Sequence, residues 1–264
     1  MKNKKSLGQH WLKNRAILDE IAELAARGET EADASGLSAS KIPAKMGVVL
    51  EIGPGLGTLT SSLLKRFDEV IAVEYDESLA KNLPKSFPGK NLEVINTDIL
   101  DFDLSKLPQP YVVAGNIPYY ITSPIIEKLL KAKKKPERIV LLIQKEVAER
   151  IASDKETQLS LFAKNYADIR LGPVVRREEF TPPPKVDSQV ILLEPHDGVV
   201  PEEVFKLIGR GFAAPRKKLI HNLAGLKPKE ELTQIFVNLS LDINARPGEL
   251  HLLDWQRLYD VFYK

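Results

Sequence analysis

At 264 residues, with 43% hydrophobic and 28% charged residues and a net charge of +2, the chain has the makeup of a globular protein of one large domain, or one domain plus a small one. No apolar run approaches the roughly 20 residues that span a bilayer, and no apolar segment of a signal peptide follows the basic start at 1–6. The lack of cysteine excludes disulfides, thiolate nucleophiles and cysteine-held zinc, and His10, His196, His221 and His251 form no metal-ligand spacing, so a cytoplasmic protein without metal or membrane is expected.

In chain order, residues 14–26 carry Ile17, Leu18, Ile21 and Leu24 at helical spacing, with Asn14 as a cap. Residues 27–46, rich in Gly, Ser, Ala, Glu and Asp, read as a long surface loop without chemistry. A short buried strand at 48–52 runs into a glycine turn and a helix through Arg66. Strands are expected at 70–74, 92–95, 111–114 and 139–143, and helices at 78–83, 124–131, 145–152 and 158–165. This alternation predicts an α/β fold: a parallel sheet with helices on both faces. Two alternating runs, 169–175 and 186–193, flank a proline-rich loop and predict a hairpin at one sheet edge. Beyond 194–198 only helical patterns remain, near 201–211, 216–223, 229–237 and 254–263. The expected division is an α/β domain over 1–196 and a small all-α domain over 197–264.

The charge is unevenly placed. Residues 1–18 hold Lys2, Lys4, Lys5, Lys13 and Arg15 and no acid; residues 205–229 hold seven bases, among them Arg216, Lys217 and Lys218, and no acid. Two basic patches on an otherwise acidic body suggest a polyanion, and RNA is the partner expected. The Arg216-Lys217-Lys218 run suits phosphate contacts.

The turn Glu51-Ile52-Gly53-Pro54-Gly55-Leu56-Gly57 joins a strand to a helix, where Gly53 and Gly55 let a ligand approach the backbone. Glu74 ends the next strand, at the place of a ribose-binding acid. A nicotinamide cofactor uses a similar layout. Three features favour S-adenosylmethionine: Gly-x-Gly-x-Gly spacing, an acid (Glu51) inside the preceding strand, and Asp98 after the third strand, where it can accept from an adenine amino group. Its sulfonium needs no phosphate-binding helix terminus.

Asn116-Ile117-Pro118-Tyr119 reads as a site for a planar exocyclic amine. An amide oxygen (Asn116) and a backbone carbonyl (Pro118) can accept its two N–H bonds and favour the pyramidal, nucleophilic form. Tyr119 can stack on the base, and Phe180, at the head of the proline-rich loop, is expected to close its other face. Tyr120 is expected to pack.

With these residues in hand, the chain resembles the ribosomal RNA adenine dimethyltransferase family nearly end to end. The resemblance rests on residues 5–12, the glycine turn, 70–76, 96–100, 115–124, 143–151, Phe180-Thr181-Pro182-Pro183-Pro184-Lys185-Val186-Asp187-Ser188, 211–223 and 244–250. It implies a Rossmann-like class I methyltransferase with a mostly parallel seven-stranded sheet, an antiparallel edge hairpin and a helical RNA-binding domain. It implies S-adenosylmethionine as donor, S-adenosylhomocysteine as product, and donor contacts at Gln9, His10, Leu12, Gly53, Gly55, Glu74, Asp98 and Asn116. The implied substrate is small-subunit ribosomal RNA, free or in the pre-assembled small subunit, dimethylated by a monomer at the N6 amines of two adjacent adenosines near its 3′ end. The rival branch is the antibiotic-resistance type, which methylates large-subunit RNA; the 182–188 stretch and the helix at 216–223 favour the small-subunit branch. Two departures stand out: His10-Trp11 replaces the usual Asn-Phe, and Glu156-Thr157-Gln158-Leu159-Ser160 lacks the usual glycine.

Overall fold

The computed structural model describes residues 9–27 and 46–263. Lys2, Lys4 and Lys5, and residues 28–45 of the expected loop, lie outside them. The chain divides into two compact units. One runs to Ala148 and includes Asp168–Pro195; the other comprises Glu149–Ala167 and the chain from His196.

The first unit opens with β1 (Trp11–Leu12) and α1 (Arg15–Arg27). Asn14 Oδ1 accepts from the Ala16 N–H at 3.1 Å, satisfying a donor at the helix start. Leu18, Ile21, Ala22 and Ala25 form the buried stripe of α1. Next come β2 (Met46–Ile52), α2 (Thr60–Leu63), β3 (Phe67–Glu74) and α3 (Glu77–Asn82), the last capped by Asp76, which accepts from the Ser78 N–H at 2.9 Å. The helix read through Arg66 stops early, at Leu63. The Arg66 carbonyl is taken by the Met46 N–H at 2.8 Å, so the chain is already turning into the sheet. Then follow β4 (Leu92–Asn96), β5 (Tyr111–Asn116), α4 (Thr122–Leu130), β6 (Arg138–Gln144) and α5 (Lys145–Ala152).

After α6 (Gln158–Tyr166) the chain returns as β7 (Ala167–Val175), β8 (Phe180–Thr181) and β9 (Ser188–Pro195). The seven-stranded sheet has the order β4-β3-β2-β5-β6-β9-β7. Neighbours from β4 to β6 are parallel, and β9 is antiparallel to β6. The Rossmann-like sheet is thus mostly parallel, with β9 and β7 side by side at one edge. Strands such as Val-Val-Leu-Glu-Ile are almost wholly apolar because helices cover both faces. The order reverses between β2 and β5, and ligands of such sheets bind outside the carboxyl ends at that crevice. Register does the rest: Ile52 pairs with Gly115 and Val73, and Glu74 with Asn96. Gly53, Glu74 and Asn116 therefore emerge at one rim. A separate ribbon pairs Trp11 with Thr181 and Leu12 with Phe180.

The second unit is helical: α6, α7 (Val204–Gly211), α8 (Leu219–Leu223), α9 (Lys229–Asn238) and α10 (Leu252–Tyr263), around a core with Leu161, Leu207, Leu223, Phe236 and Trp255. Placing all of 1–196 in the α/β domain needs correction, because Glu149–Ala167 belongs here. Glu156 N–H donates to the Gly248 carbonyl, Asn165 bonds both backbone groups of Val200, and Leu161 sits in this core. Glu156, where the usual glycine segment is replaced, is a buried acid that accepts from Ser160 Oγ at 2.6 Å and Lys164 Nζ at 2.7 Å. Arg216, Lys217 and Lys218 are exposed, but they precede α8 rather than lie on it.

Candidate active site

A cavity of about 280 Å³ opens at the carboxyl ends of β2 to β5. Gly53, Gly55 and Gly57 all adopt positive φ (66°, 57° and 81°). At two of them a side chain would also have to displace a neighbour. A Cβ on Gly55 would lie 3.1 Å from Trp11 Nε1, and one on Gly57 would lie 2.7 Å from both Leu83 Cδ1 and Phe87 Cε2. The turn is thus clamped between the β1 ribbon and the segment after α3.

Glu74 fixes the turn electrostatically. Its Oε2 accepts from the Gly55 N–H at 3.0 Å and its Oε1 from the Asp76 N–H at 2.8 Å. Burial raises its pKa, opposed by these two bonds. Each oxygen keeps a second lone pair for a hydroxyl donor. Asp98 Oδ1 accepts from the Leu100 N–H at 2.9 Å, and the residue lines the cavity beside Thr97 and Ile99. Glu51 lies beneath the turn, buried and without a hydrogen bond on either oxygen among the described residues. Burial pushes its carboxyl up to about 8; the hydroxyl and N–H of Thr60, near it but outside hydrogen-bond geometry, oppose the rise, and nearby Glu74 adds to it. Among the described residues, three acids and no lysine or arginine line the cavity. With the Gly55 N–H taken by Glu74, the turn has one donor fewer for a pyrophosphate, while the Glu74 and Asp98 carboxyls suit a cation.

Asn116 ends β5. Its Nδ2 donates to the His10 carbonyl at 2.9 Å. A carbonyl only accepts, so the bond fixes which end of the amide is which, and Oδ1 is held as an acceptor on the other side. Pro118 lines the same wall, and its carbonyl takes only a long bond, 3.3 Å, from the Ile121 N–H. Tyr119 is locked: its hydroxyl lies 2.7 Å from Ser188 Oγ, and His10 stacks on its ring at 6.1 Å and 19°. His10 Nδ1 is 2.7 Å from the Pro182 carbonyl and so carries the proton.

Of the residues singled out from sequence, Gln9, His10, Gly53, Gly55, Glu74, Asp98, Asn116, Pro118 and Tyr119 line this one cavity. Leu12 and Phe180 do not. They pair across the β1–β8 ribbon and are buried in the core, at 0% and 2% exposure. Side chains alternate along a strand, so the register that turns Trp11 to the cavity turns Leu12 inward. Phe180, expected to close the second face of a base, is thus buried in the core and does not line the cavity. Tyr120, expected to pack, is instead 64% exposed and lines the cavity. Tyr75, 62% exposed, was missed; the signal was an aromatic directly after the strand-end Glu74. Among the described residues, no group of three or more His, Asp or Glu side chains is placed to hold a metal, and no helix is long and apolar enough to cross a membrane.

The sequence pattern of the family described as Ribosomal RNA adenine dimethylase matches residues 1–264. A relative from Picosynechococcus sp., Ribosomal RNA small subunit methyltransferase A, is 37% identical over 281 residues, covering 98% of this chain and 97% of its own. The crystal structure of a dimethyladenosine transferase from Plasmodium falciparum is similar with a TM-score of 0.72 at 28% identity, covering 95% of this chain and 96% of that one. That of the 23S rRNA methyltransferase ErmE follows at 0.71 and 25%, covering 96% and 100%. A match along the full sequence, with a relative of this identity at nearly full coverage, places the chain: it belongs to the ribosomal RNA adenine dimethylase family.

Proposed function

We propose that the chain transfers methyl groups from S-adenosylmethionine to the N6 amines of two adjacent adenosines near the 3′ end of small-subunit ribosomal RNA, twice on each. The observation that carries this reading is the fixed amide of Asn116: its Nδ2 is bound to the His10 carbonyl, which leaves Oδ1 as the free acceptor, and Asn116 and Pro118 line the same cavity. Two acceptors at that wall suit the two N–H bonds of an exocyclic amine. The residues present fit the donor: an acidic cavity without lysine or arginine among its described residues suits a sulfonium and disfavours a dinucleotide. Glu74 would accept from the ribose hydroxyls, Asp98 from the adenine amino group, and Tyr75 would offer a face to that purine. Gln9, His10 and the Gly53–Gly55 backbone would bound the amino-acid end.

The bound donor supplies an activated methyl carbon on sulfur. The chain's own contribution is positioning. Asn116 and Pro118 draw the target N–H bonds into their acceptors and turn the nitrogen lone pair toward the donor side. Tyr119, immobilised by Ser188 and His10, provides the face on which the extruded adenine stacks. No side chain need act as a general base, because the methylated amine is strongly acidic until it loses its proton to water.

The similarity to ErmE supports a second reading, methylation of large-subunit RNA. The name of the 37%-identical relative supports the small subunit, and that is the reading adopted. Asn116→Ala tests the site. Turnover should fall about 10²-fold, far more than donor affinity measured by calorimetry. Undiminished turnover would remove Asn116 from the role given.

A further inference from the structure

Tyr119 has a place in the proposed reaction; the residue beside it does not. Tyr120 lines the same cavity yet is 64% exposed, so its ring stands where the cavity meets solvent. The turn that carries it is fixed. Ile121 N–H donates to the Pro118 carbonyl at 3.3 Å, and Thr122 Oγ1 donates to the Tyr119 carbonyl at 3.1 Å. Tyr119 is tied down through Ser188. Tyr120 is not: among the described residues its hydroxyl has no hydrogen-bond partner. A rigid backbone thus holds one tyrosine in place within the cavity wall and presents the next at its rim.

We infer that Tyr120 is a stacking platform for the nucleobase next to the target adenosine in the RNA strand; the inference rests on the function proposed above. Extruding a base breaks its stacks, so the flanking base loses a partner too. An aromatic face one residue from the ring assigned to the target offers that base a replacement, and such stacking tolerates any base. Tyr75, the other exposed aromatic of the cavity, follows Glu74 on the donor side; Tyr120 follows Asn116-Ile117-Pro118-Tyr119 on the amine side. What the described residues of this rim offer a nucleotide is an aromatic face for its base. The site is therefore a nucleobase subsite, and it suits a substrate with two neighbouring targets: one adenine enters while the other waits on Tyr120.

The test uses the full chain, saturating donor, and small ribosomal subunits that lack the modification. Tyr120→Ala and Tyr120→Leu should each raise KM for the subunit about tenfold, with donor Kd unchanged as evidence of an intact cavity. Tyr120→Trp should restore KM to within about twofold of wild type. The leucine variant separates an aromatic face from apolar bulk. If Ala and Leu variants match an active wild type, or if Leu serves as well as Tyr, the subsite is overturned while the functional reading stands. A wild-type chain that methylates neither subunit would overturn both.

Discussion

Glu51 is the costliest residue of the cavity. A carboxyl at the centre of the sheet, flanked in register by Ala72 and Ala114, has room but no hydrogen-bond partner among the described residues. The physical response is to hold its proton, and burial lifts the pKa from 4.5 to about 8. The sign for stability follows. Between these two values the folded chain keeps a proton that the unfolded chain releases, so this residue's contribution is fully present below about pH 4.5 and is lost as pH rises to about 8. Glu51→Gln, neutral at every pH, should remove that slope. Urea-unfolding midpoints from pH 5 to 8.5 should show the variant gaining on wild type as pH rises, and a constant difference would contradict the raised pKa. At this scale placement on the cavity was legible where a residue's type and its strand-end position coincide, as for Glu74, Asp98 and Asn116. The side chains of Leu12 and Phe180 lie in the core rather than on the cavity, because family resemblance names positions while only register decides which way each side chain faces.

The glycine turn and the ribbon over it hold the cavity in shape. Gly57 combines a φ of 81° with neighbouring side chains that already fill the space of an added carbon, so a methyl group there strains the turn and must displace Leu83 or Phe87. Gly57→Ala should destabilise the chain by about 1–3 kcal/mol through backbone strain and overpacking. Chemical denaturation measures this, and an unchanged midpoint would mean the segment after α3 yields freely. The parallel strands could be read from sequence because apolar runs bounded by turn residues signal buried strands. The β1–β8 ribbon could not: two-residue strands far apart in the chain have no period, and their pairing is purely tertiary. The helix after the glycine turn was overread for a related reason, since Leu59, Leu63 and Leu64 satisfy helical spacing while a backbone bond at Arg66 ends it.

For the molecule as a whole, charge divides the labour. The cavity is acidic and lies in one unit; Arg216 and Lys217 are exposed in the other. Lys218 is tied to Asn244 Oδ1 at 2.6 Å, so the first two are the better candidates for phosphate. Replacing Arg216 and Lys217 by alanine should weaken RNA binding and reduce the slope of log affinity against log salt by about 1 for each phosphate no longer neutralised. An unchanged slope would place the RNA backbone elsewhere. The domain boundary near residue 196 was visible as a loss of strand pattern, whereas the assignment of Glu149–Ala167 was not, since it depends on the long-range bonds and packing of Glu156, Leu161 and Asn165. The most direct test of the proposed activity is nucleoside mass spectrometry after incubating the chain and S-adenosylmethionine with unmodified small and large ribosomal subunits. N6,N6-dimethyladenosine is expected in small-subunit RNA alone; product confined to the large subunit, or no methylated adenosine in either, would contradict the assignment.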